Sequence, residues 1–104
     1  MRAAEEVWTT EAVLIEVGNA LSRLNRSAAA RFVRSCYEVE NMRVKSVDTQ
    51  MIRRALDLYE QRSDKTWGLT DCLSFVLMDE NGLTDALTSD DHFQQAGYRV
   101  LLSP

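Results

Sequence analysis

This chain of 104 residues predicts an α/β domain built on a mainly parallel sheet covered by helices. Two observations carry that expectation. Short β-prone runs alternate with longer segments of helical periodicity, the pattern of βαβ units whose strands run parallel. The boundaries between them carry helix start and stop signals, with Thr10, Ser27 and Asp48 placed as N-caps and Gly82 and Gly97 as stops. Repeats, low-complexity runs and linkers are absent, so one small domain over 1–104 is expected.

Val7, Trp8 and Thr9 form the first strand-like step. Thr10 then caps a helix to about residue 24, whose inward stripe is Val13, Val17, Ala20, Leu21 and Leu24. Ser27 is placed to cap a second helix over 28–40 that turns Phe32, Val33, Cys36 and Tyr37 inward. Residues 44–47 alternate apolar and polar as a strand does, and Asp48 caps a third helix with the pairs Met51/Ile52, Ala55/Leu56 and Leu58/Tyr59. A polar loop over 62–68, holding a lone Trp67, leads to a fourth helix over 70–81 closed by Gly82. Residues 83–88 read as a strand, 91–96 as a short helix stopped by Gly97, and 98–102 as the last strand.

Composition narrows the function classes. An apolar fraction of 45% and a charged fraction of 27% are ordinary for a globular protein in water. No apolar run approaches the roughly 20 residues that cross a bilayer, and no signal peptide opens the sequence, so a cytoplasmic protein without membrane contact is expected. Cys36 and Cys72 sit in apolar helical contexts and read as buried free thiols. Together with the single His92 they are too few and too scattered for a zinc site.

Charge is unevenly divided: residues 1–62 carry ten Lys/Arg against nine Asp/Glu, whereas residues 63–104 carry two against seven. Arg23, Arg26, Arg31, Arg34, Arg43 and Lys45 gather around the second helix, either as a solvated face or as a basic rim for a phosphate backbone. A net charge of −4 argues against tight nonspecific nucleic-acid binding but is compatible with an acidic, metal-binding nuclease centre.

Three acids stand where an apolar element would not tolerate them unpaired: Glu16 inside the first helical stripe, Asp71 in the first turn of the fourth helix, and Asp90 just past a strand. Ligands of parallel sheets collect at the carboxyl ends of the strands, so all three can converge at one sheet edge and hold a hard cation. Each also has a structural alternative. Asp71 suits the positive end of a helix dipole, Glu16 an ion pair with a nearby arginine, and Asp90 or Asp91 a helix cap. His92 reads as structural or as a helix-end partner rather than a general base.

The runs T-T-E-A-V-L-I-E-V-G-N-A-L (9–21), L-T-D-C-L-S-F-V-L-M (69–78) and A-L-T-S-D-D-H-F-Q-Q-A-G-Y-R-V-L-L (86–102) closely resemble PIN-domain proteins, in particular the ribonuclease toxins of VapBC toxin–antitoxin pairs. The resemblance spans about 7–102 in the family's order. It implies a PIN-like fold with acids at the sheet edge that bind Mg²⁺ or Mn²⁺ and hydrolyse RNA phosphodiesters. By motif position Glu16 is similar to the second acid, Asp71 to the third and Asp90 to the fourth, with Asp91 a secondary candidate. Thr88 resembles the small hydroxyl residue that orders the fourth acid, and Thr70 stands in support beside the third. An RNA substrate, an antitoxin partner and a homodimer or larger assembly are the partners so implied.

The family's first strand and first acid find no counterpart, so the chain reads as a PIN domain shortened at its N-terminus and lacking the central strand. Val47-Asp48-Thr49 imitates that first motif but falls at the wrong place in the order. The rival reading is a catalytically inactive PIN remnant that serves as a dimerisation or antitoxin-binding module. A receiver-like or Rossmann-like binding domain ranks below both, because no glycine-rich phosphate loop is present.

Overall fold

The computed structural model describes residues 6–86, 88 and 90–101. Nine elements follow in order: β1 (Val7–Thr10), α1 (Glu11–Ser22), α2 (Arg26–Glu38), β2 (Met42–Lys45), α3 (Thr49–Gln61), α4 (Leu69–Glu80), β3 (Asp85–Ala86), α5 (Asp91–Gln95) and β4 (Arg99–Val100). The strands form two parallel pairs, β1 with β2 and β3 with β4, in line with the expected mixed α/β fold. The chain divides into two compact units, residues 1–47 and 48–104.

In the first unit a helical hairpin crosses over between parallel strands, with Val7 opposite Met42 and Thr10 opposite Lys45. Thr10 ends β1 fully buried and caps α1, its Oγ1 accepting from the Val13 amide at 3.2 Å. Leu14, Ala29 and Cys36 form the buried seam of the hairpin. Gly18 permits the close approach of α1 and α2, because a methyl group there would meet Val33 Cγ2 at 3.2 Å. Two expectations shift here. The cap of α2 is Asn25, whose Oδ1 accepts from the Ala28 amide at 2.9 Å, so that helix starts before the expected Ser27. Leu24, Phe32 and Tyr37 are exposed rather than inward, and Tyr37 instead donates its hydroxyl to Glu11 Oε2 at 2.6 Å. Strand β2 also lies two residues earlier than the alternation suggests, at Met42–Lys45.

In the second unit Asp48 caps α3 as expected, accepting from the Met51 amide at 2.8 Å. Ala55 is the buried contact of α3, and Arg54 pairs with Glu80 of α4. Flanking Ala55 on α3, Ile52, Leu56 and Tyr59 lie exposed at helical spacing. Helix α4 is the core of this unit, burying Cys72, Leu73, Phe75, Leu77 and Met78. It ends as Gly82 predicts. With φ at 64°, Gly82 donates to the Asp79 carbonyl at 3.3 Å, and Leu83 donates to the Met78 carbonyl at 2.8 Å, a Schellman closure. Gly97, with φ at 98°, closes α5 the same way through Gly97 to Gln94 and Tyr98 to Phe93.

Trp67 lies in the loop before α4 as expected and is buried there, 5% exposed, meeting Phe75 edge-on at 5.0 Å between ring centroids. Phe93 of α5 packs on the same ring at 4.8 Å and Tyr98 stacks on it at 5.6 Å. The Tyr98 hydroxyl donates to the Phe75 carbonyl at 2.9 Å, and Trp67 Nε1 donates to Gln95 Oε1 at 3.2 Å. Among the described residues strands β3 and β4 span two residues each, within the expected 83–88 and 98–102. The bidentate pair of Arg99 with Asp85 reinforces them, at 3.1 and 2.7 Å. The ends of the expected strands at Leu87 and Leu102 lie outside the described residues.

Phe75→Ala should destabilise the chain by about 3–5 kcal/mol in urea unfolding, since it removes the ring that three others contact. Leu24→Ala, at a side chain 86% exposed, should change stability by less than about 1 kcal/mol. Equal effects from the two would disprove this account of the core.

Candidate metal centre

Asp71 lies in the first turn of α4, where its Oδ2 accepts from the Gly68 amide at 3.0 Å. That bond closes the turn, and it places the carboxylate at the exposed mouth of a helix whose next turn carries buried Phe75. Residues four apart share a helix face, so Asp71 and Phe75 point the same way. Phe93 packs on Phe75, and this draws α5 and its N-terminal residues to that face.

Asp90 is the N-cap of α5, its Oδ1 accepting from the His92 amide at 2.9 Å. Thr88 holds it in turn, its Oγ1 accepting from the Asp90 amide at 3.1 Å. His92 Nδ1 then lies 3.5 Å from Asp71 Oδ2 and 3.3 Å from Asp90 Oδ1. One ligand atom each from Asp71, Asp90 and His92 falls within 4.8 Å of the others. Both aspartates therefore serve as local caps, as their structural alternatives anticipated. A single accepted hydrogen bond occupies one of about four lone-pair positions on a carboxylate and leaves the rest available to a cation.

The ring nitrogen tests the fit. His92 Nδ1 is buried and makes no hydrogen bond among the described residues, although two carboxylates flank it. Its other nitrogen, Nε2, is bonded to Thr66 Oγ1 at 3.0 Å. Two carboxylates and an orphaned imidazole nitrogen converging on one point are a donor set for a divalent cation. Burial, and then the Asp71 charge, push the Cys72 thiol up, so the neighbouring sulfur stays protonated and outside this donor set.

The other sequence candidates are placed as follows. Glu16 stands exposed in the second turn of α1, in the first unit. Asp91 is the exposed first residue of α5 and is not one of the three converging groups. Thr70 is half-buried beside Asp71 in α4. Of the basic residues, Arg43 pairs with Glu6 at 2.9 Å and lies over the Trp8 ring at 5.3 Å, while Arg26, Arg31 and Arg34 are exposed on α2. Sequence reasoning set His92 aside as structural and did not consider Thr66. The available signal was the spacing Asp90-x-His92, which puts the chain's only imidazole one step inside the turn that Asp90 caps.

No helix among the described residues is long and apolar enough to cross a membrane. The search of curated proteins gives no match. Among solved structures the chain is similar to VapC20 of Mycobacterium tuberculosis, described as a sarcin–ricin loop cleaving toxin. The likeness has a TM-score of 0.84 and 24% identity over 92% of this chain and 74% of that one, and it shows a shared fold. The family model for the PIN domain matches residues 1–97, and the chain belongs to the PIN-domain family.

Proposed function

We propose that this chain is a metal-dependent ribonuclease of the PIN type, which hydrolyses RNA phosphodiesters with water activated by Mg²⁺ or Mn²⁺. The observation that carries this reading is the meeting of Asp71, Asp90 and the orphaned His92 nitrogen in a PIN-family chain. Asp71 and Asp90 hold the cation; Glu16 is a further candidate by its position in the family motif alone, and residues 1–104 are one domain. Thr88 keeps Asp90 in place through the backbone bond at its amide. Asp91 stays outside the ligand set. A divalent ion bound there would lower the pKa of a coordinated water and polarise the phosphoryl oxygens. The exposed arginines of α2 hold the RNA backbone by its phosphates.

The protein acts in the cytoplasm and meets a protein partner, either a second copy or an antitoxin. Support comes from Ile52, Leu56 and Tyr59, an exposed apolar stripe on α3 that water solvates poorly. The same stripe supports the second reading, an inactive module that acts by binding alone.

Mn²⁺ titration should show saturable binding that weakens for Asp71→Asn and for Asp90→Asn but not for Asp91→Asn. Indistinguishable binding by all four proteins would remove the metal centre from this site. RNA cleavage should require Mg²⁺ or Mn²⁺, stop with EDTA, and fall on the order of a hundredfold or more for Asp71→Asn. A chain that binds Mn²⁺ and cuts no RNA would leave the binding module as the function. Sedimentation at micromolar concentration should give a dimer or larger species that Leu56→Glu dissociates, and a wild-type monomer would show that α3 does not mediate self-association.

A further inference from the structure

We propose that His92 Nδ1 is itself a ligand of the divalent cation, so that the centre is a mixed oxygen and nitrogen site rather than a purely acidic one. The inference rests on the metal-dependent reading above and adds a residue that the acid pattern does not contain. Three observations lead to it. Nδ1 is buried and without a hydrogen bond, a state that disfavours a polar atom unless something occupies its lone pair. It faces both Asp90 Oδ1 at 3.3 Å and Asp71 Oδ2 at 3.5 Å, so it points into the carboxylate cluster. The spread of 4.8 Å among the three ligand atoms is slightly wider than the roughly 4 Å that separates opposite ligands of one small cation, so only a small inward adjustment is needed.

Thr66 supplies what a ligating histidine requires on its far side. A neutral imidazole coordinates through the nitrogen without a proton, and which nitrogen that is follows from the bond made by the other. Thr66 Oγ1 lies 3.0 Å from Nε2 and can accept from Nε2–H, which leaves the Nδ1 lone pair facing the two aspartates. Thr66 is a positioning residue, holding the ring and its tautomer from outside the ligand set. The chemical consequence is selectivity. Mg²⁺ prefers oxygen donors, whereas Co²⁺ and its neighbours accept imidazole readily, so His92 biases the centre toward transition-metal ions. The rival arrangement is a protonated His92 that merely neutralises the aspartates and leaves when a cation arrives.

The chain's single histidine makes the test direct. Tag-free protein loaded with Mn²⁺ should show imidazole nitrogen-14 coupling in pulsed electron paramagnetic resonance, and labelling with ¹⁵N-histidine should replace that pattern. His92→Phe should abolish the coupling and weaken Co²⁺ binding by about tenfold or more while changing Mg²⁺ binding less than about twofold. Thr66→Val should weaken Co²⁺ binding by about tenfold without removing the coupling. Mn²⁺ that binds and depends on Asp71 but shows no nitrogen coupling would overturn the His92 assignment and leave the acidic centre standing. Absence of Mn²⁺ binding to the wild-type chain would overturn the metal-dependent reading itself. The wild-type spectrum decides the matter even where a variant fails to fold.

Discussion

Phe75 is the contact on which the second unit depends. Its ring is 3% exposed and touches Trp67 before α4, Phe93 of α5 and Tyr98 at the entry to β4. Aromatic pairs in edge-on and offset geometries add about 0.5–1.5 kcal/mol each beyond the area they bury. Segments that are short and weakly structured alone are thereby fastened to one helix. The five residues of α5 and the two of β4 could not persist as isolated elements.

The same packing builds the candidate site. Asp71 stands one turn before Phe75 on α4, and His92 stands immediately before Phe93 on α5. Once the two phenylalanines meet, Asp71 and His92 must meet as well, and Asp90 follows as the cap of α5. Hydrophobic burial thus sets the distances between charged groups whose own interactions would not. Two carboxylates held together repel, and the cap bonds from the Gly68 and His92 amides relieve only part of that charge. A cation bound there would complete the relief, and ion binding would then be linked to local order at the α4–α5 junction.

Residues 63–104 carry a marked acidic excess, whereas most of the basic side chains lie in residues 1–62.

The sequence by itself determined the alternation of elements and most of their ends, because caps and stops are local. Thr10, Asp48, Gly82 and Gly97 each act within four or five residues, and each does in the fold what its residue type implies. It also determined the family, through motifs contiguous along the chain, and it singled out Asp71 and Asp90. Tertiary structure decided what depends on distant partners. An apolar stripe tells which residues prefer burial but not what covers them, so Leu24, Phe32 and Tyr37 emerge exposed while Trp67 goes under. Competing caps separated by two residues differ by little locally, and Asn25 rather than Ser27 starts α2. His92 and Thr66 are 26 residues apart, and the imidazole acquires its orientation only when α5 docks. A single histidine has no periodicity to betray its role; its significance comes from the carboxylates that folding brings to it.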